Sequence, residues 1–355
     1  MAYIRSSPKM SAIAAALGVS AATVSNALSG KGRVSPELVA KIRAKAEELG
    51  YVPSVTARAL RTGRSRVLGL VLPDISNPLF PQIARAIENA ASDAGYGVLI
   101  ADSRGSNAMQ TLAIQRLVER QVDGIVIVPR FGTRIADLGC PVAVIDSPST
   151  PGNTVSSDHW QGGQLVVDHL LSLGHRSFVL IGANPLSNVQ NDRIAGMKSR
   201  LPGDARVEVL WIEKIEAISG SGCALGLESK VEQGFTAFAA SNDLHALRAV
   251  TELQRCGVRI PEQASVVGFD DLVWSSVVSP AITTVRQDMA AIAEIAVGAL
   301  LGVIDRHETE DVSTTGGTAT AQRDRVPMTL VPRQTSGAPI MPALQPNQSR
   351  GEIRP

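Results

Sequence analysis

From residue 67 to residue 269, short apolar runs alternate with longer amphipathic stretches, a pattern that few folds can accommodate. The runs at 67–73, 96–101, 124–128, 141–146, 178–182, 207–211, 237–240 and 264–269 are rich in Val, Ile, Leu and Ala, as strands covered on both faces must be. Helical stretches lie between most of them, at 79–94, 109–120, 160–173, 189–200, 224–231 and 244–256. In the first of these, Ile83, Ile87, Ala90 and Ala94 share one face and Gly95 ends it. Strand, helix and strand repeated in this way predict parallel sheets, because parallel neighbours need a crossover between them. About 200 residues of the pattern exceed what one open sheet uses, so the expectation is two doubly wound parallel-sheet lobes flanking a cleft. Ligands in such sheets bind beyond the carboxyl ends of the strands.

Ahead of this alternation the chain is built differently. Residues 10–17 are nearly all Ala, Ile and Leu, strong helix formers, and Gly18 closes the run because it tolerates a left-handed backbone. Ser20 is placed to accept from the free N–H groups of a second helix over 21–28, with Val19 and Val24 spaced as a hydrophobic staple. Two short helices joined through Gly18-Val19-Ser20 fit the hairpin that lays a helix in the major groove of DNA. A third helix is punctuated by Ser35 as cap, Pro36 in its first turn, Glu37 at the positive dipole end and Gly50 as stop. Its Leu38, Ile42, Ala46 and Leu49 can pack on Ile13, Leu17, Val24 and Leu28 to make a small core. Residues 1–66 hold eleven Lys and Arg against three Asp and Glu, while the whole chain carries +1, so the remainder is acidic. A basic head on an acidic body confines phosphate binding to the head.

Other chemistries find little support. The three cysteines, Cys140, Cys223 and Cys256, are widely spaced with no C-x-x-C, which argues against a disulfide framework and a zinc site. His159 and His169 are not at metal-ligand spacing. Gly220-Ser221-Gly222 to Gly226 has one residue too many for a dinucleotide-binding loop, and no phosphate-binding loop or G-x-S-x-G elbow occurs, so neither catalytic residues nor a cofactor are expected. No apolar run approaches the roughly 18 residues of a membrane span, and the first residues lack a signal peptide's apolar segment. A cytoplasmic protein is the expectation. Residues 309–325, rich in Thr, Gly and Ala, read as a mobile insertion, and 336–355, rich in Pro, as a disordered tail.

The run from Ala14 to Leu28, then Glu48-Leu49-Gly50-Tyr51-Val52-Pro53 and Ala57-Arg58-Ala59-Leu60, resembles the lactose-repressor (LacI/GalR) family of transcription regulators. The resemblance continues through Leu70 to Phe80, Val122-Asp123-Gly124-Ile125, Leu173-Gly174-His175-Arg176, Ala240-Ser241-Asn242-Asp243, Val267-Gly268-Phe269-Asp270-Asp271 and Thr283-Thr284-Val285. It implies a helix-turn-helix domain over 1–53, a hinge helix and linker over 54–66, and a periplasmic-binding-protein-like core for effector binding and dimerisation over 67–335. It further implies a homodimer on a pseudo-palindromic operator, a repressor controlled by a small molecule in the cleft, a sugar or derivative, with a nucleobase or other metabolite, or no effector at all, as the alternative. Ala21, Ala22 and Asn26 would face base edges, with Ser20, Thr23 and Ser25 nearer phosphates and Met10 at the start of the first helix. Two alanines offer only methyl contacts, which leaves hydrogen-bonded reading to Asn26. Leu60, beside Ala57, would be the wedge that kinks the minor groove.

For the effector, the resemblance points to Asp74, Asn77, Phe80, Asp146, Arg193, Asn242, Asp270 and Trp274. Carboxylates and an arginine fork engage adjacent hydroxyls, and an aromatic face covers the apolar side of a sugar ring. Asp243 either joins this set or caps the helix that follows it. Three departures stand out. Lys9 and Ala12 occupy positions where the family usually has a capping Thr and an acid, 129–140 is shorter than usual at one pocket wall, and Pro332 interrupts the terminal strand expected at 328–333.

Overall fold

The computed structural model describes residues 10–29, 32–51, 63–130, 138–146, 150, 152–309 and 324–340. Two compact units divide the chain at residue 65.

The head unit contains α1 (Met10–Leu17), α2 (Ala21–Ser29) and α3 (Pro36–Glu48). Gly18, at φ +66°, turns the chain by 108° between α1 and α2, within the range of a DNA-reading hairpin. The N–H of Thr23 donates to Ser20 Oγ at 3.0 Å and that of Leu38 to Ser35 Oγ at 3.4 Å, so both expected caps form. Ile13, Ala14, Val24, Ala27, Ile42 and Ala46 are buried where the three helices meet, with Leu17, Val19, Leu28, Leu38 and Leu49 packed around them.

The second unit has two lobes. Lobe 1 carries a parallel sheet in the order β2-β1-β3-β4, built from β1 (Val67–Leu72), β2 (Gly97–Asp102), β3 (Gly124–Ile127) and β4 (Val142–Val144). Alternation along β1 assigns its neighbours. Leu68, Leu70 and Leu72 pack on Ile83 and Ile87 of α4 (Leu79–Asp93), and Val71 faces Ile114 and Leu117 of α5 (Asn107–Glu119). In lobe 2, β6 (Ser177–Gly182), β7 (Arg206–Trp211), β8 (Ala237–Ala240) and β9 (Ser265–Val267) form a second parallel sheet in the order β7-β6-β8-β9. One face carries α6 (His159–Ser172) and α7 (Asn188–Ser199); the other carries α9 (Leu227–Glu232) and α10 (Asp243–Arg255), with α8 (Ile212–Ser219) following β7. A Cβ at Gly163 or Gly196 would collide with the backbone of the facing helix, so α6 and α7 touch main chain to main chain.

Three crossovers join the lobes. β5 (Val155–Ser157) leads out of lobe 1 and pairs with β11 (Asp324–Val326). After the short α11 (Val273–Val277), β10 (Thr284–Arg286) pairs with β12 (Thr329–Val331) and leads into α12 (Met289–Thr309), which returns to lobe 1 and places Ile292, Ala296 and Leu300 in its core.

Both segments expected to lack order are partly built into the fold. Asp324 and Arg325, the end of the expected insertion, open the strand β11, which pairs with β5 and covers its edge. Ser336 and Gly337, the start of the expected tail, bond to His169 at 2.8 Å and to Ser265 at 3.0 Å. Their sequence is polar because they use side-chain and backbone hydrogen bonds rather than apolar burial. Residues 310–323 and 341–355 lie outside the described residues. Pro332 falls just past β12 and interrupts nothing. No single helix among the described residues is long and apolar enough to cross a membrane.

Candidate DNA-reading face and effector cleft

On α2 the buried residues Val24 and Ala27 point one way and the exposed residues Ala21, Ala22 and Asn26 the other, as a period of 3.6 dictates. Ser20 is exposed at the cap, its Oγ 2.9 Å from Thr23 Oγ1, and Thr23 and Ser25 are half-buried along the edges of that face. Gly32, at φ +92°, lies against Asn26: a Cβ there would sit 3.2 Å from Asn26 Nδ2. Met10 is half-buried at the start of α1, packed on the head core. Ala57 and Leu60 lie outside the described residues, as does the rest of the expected hinge helix.

Between the two lobes of the core lies a cavity of about 430 Å³. Its walls come from the segments that follow β1, β3, β4, β6, β7 and β8, together with Asp270 after β9, so both sheets present their carboxyl ends to one space. Asp74, Asn77, Phe80, Asp146, Arg193, Asn242 and Asp270 all line it.

Arg193 is the anchor. Only 3% exposed, it pairs with Asp270 Oδ1 at 2.8 Å, donates to the Ser241 carbonyl at 2.6 Å and to His159 Nδ1 at 3.4 Å, and lies 4.0 Å over the Phe269 ring. Burial and the neighbouring guanidinium hold the His159 imidazole well below its usual range, so it is neutral and free to accept this bond. Burial pushes the Asp270 carboxyl up, against the opposing pull of Arg193 and of Gln287, which donates to Asp270 Oδ1 at 2.7 Å. Gln287 in turn accepts from Ser157 Oγ at 2.6 Å. The cleft ion pair is thereby tied to two of the crossovers.

The lobe 1 residues are held by their own loops. Asp74 Oδ1 accepts from the N–H and Oγ of Ser76 at 2.9 and 2.6 Å, and Asn77 Oδ1 accepts from the Leu79 N–H at 3.1 Å. Asp146 Oδ2 accepts from Thr150 Oγ1 at 2.6 Å, and Asn188 of α7 donates to that same Thr150 oxygen at 3.0 Å, bridging the lobes.

Two expectations change. Trp274 does not line the cavity; it is 46% exposed on α11, because Asp243 Oδ2 accepts from the Leu272 N–H and the Ser275 hydroxyl and turns the intervening residues outward. Asp243 is not the helix cap. Asn242 fills that role, accepting from the His245 N–H at 2.8 Å, whereas Asp243 is buried and also accepts from Thr284 Oγ1 at 2.6 Å. Burial raises its carboxyl from 3.8 to about 7. The sequence reading missed His159, Asn188, Gln190 and Gln287 among the wall residues. A strand-like Thr284-Val285-Arg286 feeding a helix was the visible signal for Gln287.

A three-helix head with an exposed reading face, followed by a two-lobed α/β core around a polar cleft, defines a ligand-controlled DNA-binding regulator. Residues 9–54 match the model for bacterial regulatory proteins of the lacI family, and residues 167–336 match that for the periplasmic binding protein-like domain. The HTH-type transcriptional regulator DegA of Bacillus subtilis is 30% identical over 91% of this chain and 96% of its own length. The ribose operon repressor of Haemophilus influenzae is 30% identical over 82% and 90%. The crystal structure of the lac repressor dimer bound to operator and the anti-inducer ONPF superposes with a TM-score of 0.75 at 25% identity, over 94% of this chain and all of that one. The chain belongs to the lacI family. It is a transcriptional regulator that binds DNA and is not an enzyme.

Proposed function

We propose that the protein is a cytoplasmic homodimeric repressor of a catabolic gene set, released from a pseudo-palindromic operator by a sugar or sugar derivative held between its lobes. The cleft carries this reading: Arg193 and Asp270 face it from lobe 2, Asp74, Asn77 and Asp146 face it from lobe 1, and Phe80 offers an aromatic surface. Carboxylates and amides at this density suit vicinal hydroxyls approached from two sides. Relatives that include ribose operon repressors agree with it. Ligand bound to both lobes favours their closure, and that closure is coupled to operator affinity; such coupling is typically about 1 to 3 kcal/mol.

On DNA, Ala21, Ala22 and Asn26 read base edges, Ser20, Thr23 and Ser25 meet phosphates, Met10 lies nearby, and Leu60 beside Ala57 enters the minor groove. In vitro selection of bound sequences should return a palindromic motif, and Leu60→Ala should weaken binding to it far more than binding to random DNA. Thermal unfolding against a sugar panel tests the cleft. A true ligand at a hundred times its Kd adds about 2.7 kcal/mol, a gain that Arg193→Ala should abolish. A panel that leaves the wild type unmoved refutes the sugar assignment.

A further inference from the structure

Building on the sugar reading above, we propose that the effector carries an anionic group, a phosphate or a carboxylate, which docks on Arg130 in the lobe 1 wall. Arg130 follows β3 and lines the cavity. Its backbone N–H donates at 2.9 Å to Oε1 of Gln110, a fully buried residue of α5, and this contact identifies which end of the amide is oxygen. Two donors are left over around Arg130, one on the residue itself and one on Gln110 behind the cavity wall. Arg130 Nε and Gln110 Nε2 are both shut off from solvent and have no hydrogen-bond partner. Among the described residues Arg130 forms no ion pair.

Arg193 is the internal contrast. Each of its three nitrogens already has a partner, Asp270, Ser241 or His159, so its charge is answered within the protein while N–H donors remain. Among the described residues, no ion pair joins Arg130 to Asp74 or Asp146 across the lobe 1 wall. Gly105, at φ +70°, leaves room for the guanidinium: a Cβ there would stand 3.4 Å from Nη1. Buried donors without acceptors are rare in folded proteins, and a guanidinium fork matches the oxygens of a phosphate or carboxylate. A neutral hydroxyl satisfies one donor and cancels no charge; an oxyanion does both.

The test is calorimetric titration of the full-length protein with matched probes: ribose and ribose 5-phosphate, and glucose, glucose 6-phosphate and glucuronate. The charged member of at least one set should bind about tenfold tighter than its neutral partner or better. The phosphate and carboxylate arms then tell which anion is used. Arg130→Gln should erase that preference by weakening the charged probe far more than its neutral partner, and Arg130→Lys, which keeps the charge without the fork, should retain part of it and controls for folding. Neutral sugars binding as tightly as their charged partners, or Arg130→Gln weakening both alike, would overturn the anion site and leave the sugar cleft standing. No binding of any probe to the wild type would overturn both.

Discussion

Removing one member of the Arg193–Asp270 pair should cost the core far more than the pair contributes as a unit. Both side chains are 4% exposed, so water cannot take over the role of the missing partner. Asp270→Asn leaves a guanidinium buried without its counter-charge, a change that typically costs about 3 to 5 kcal/mol. The lower end applies here. Arg193 keeps the Ser241 carbonyl and the Phe269 face, and an asparagine oxygen can still accept from Gln287. For a core of this size, about 3 kcal/mol corresponds to a fall in Tm on the order of 6 to 12 °C. Arg193→Met leaves the opposite defect, and it responds to pH. Asp270, already pushed up by burial and now without its opposing cation, holds its proton more tightly in the folded than in the unfolded state, so stability is lost as pH rises. The loss in that variant should therefore be greater at pH 8 than at pH 5. Combining the two substitutions removes both charges, and the double variant should recover about 2 kcal/mol relative to the sum of the singles. Urea unfolding followed by circular dichroism at both pH values measures all four proteins. An Asp270→Asn cost below about 1 kcal/mol, or singles that simply add, would refute the account of this pair as a coupled buried unit.

The buried carboxyl of Asp243, raised from 3.8 to about 7, binds its proton more tightly in the folded state, so its contribution to stability is full below pH 4 and is lost as pH rises through 7. Asp243→Asn should flatten that slope, which is about 1.4 kcal/mol per pH unit in this window before solvent relaxation reduces it; parallel urea midpoints for both proteins from pH 5 to 8 would contradict it. Asn26→Ala should relax base preference at one position per operator half-site while phosphate-driven affinity stays intact, and an unchanged selected motif would remove Asn26 from base reading. Gly196→Ala sets a Cβ against the Trp160 backbone of α6 and should destabilise the core by about 3 kcal/mol or lower the yield of folded protein, whereas the same change at Gly298, which has open space beside it, should be close to neutral apart from helix propensity.

Most of the architecture was legible because it rests on local periodicity. Leu68, Leu70 and Leu72 alternate with Val71 along β1, and Ser20, Ser35 and Gly18 mark helix ends by chemistry confined to a few residues. The long α12 was overlooked although Ile292, Ala296 and Leu300 repeat at helical spacing, because it returns to lobe 1 after the chain has already built lobe 2. Within the cleft, Arg193 and Asp270 could be named from their motifs, but their mutual contact and the Gln287–Ser157 link depend on pairings 77 to 130 residues apart, and no local pattern encodes those. Trp274 failed for a related reason. Its direction is decided by Asp243, a side chain on another helix. Arg130 went unnoticed because a lone arginine after a strand is ordinary until its neighbours are seen to leave it unanswered.

The glycine contact between α6 and α7 divides the cleft into a part that can diversify and a part that cannot. Gly163 and Gly196 bring two backbones together with no side chain between them to absorb a shift, and Arg193 stands within one turn of that contact. Lobe 2 therefore offers descendants of this protein a fixed anchor for whatever ligand they come to sense. New preferences have to be acquired across the cavity, where Asp74, Asn77, Arg130 and Asp146 sit in turns and strand-end segments that tolerate replacement and changes of length.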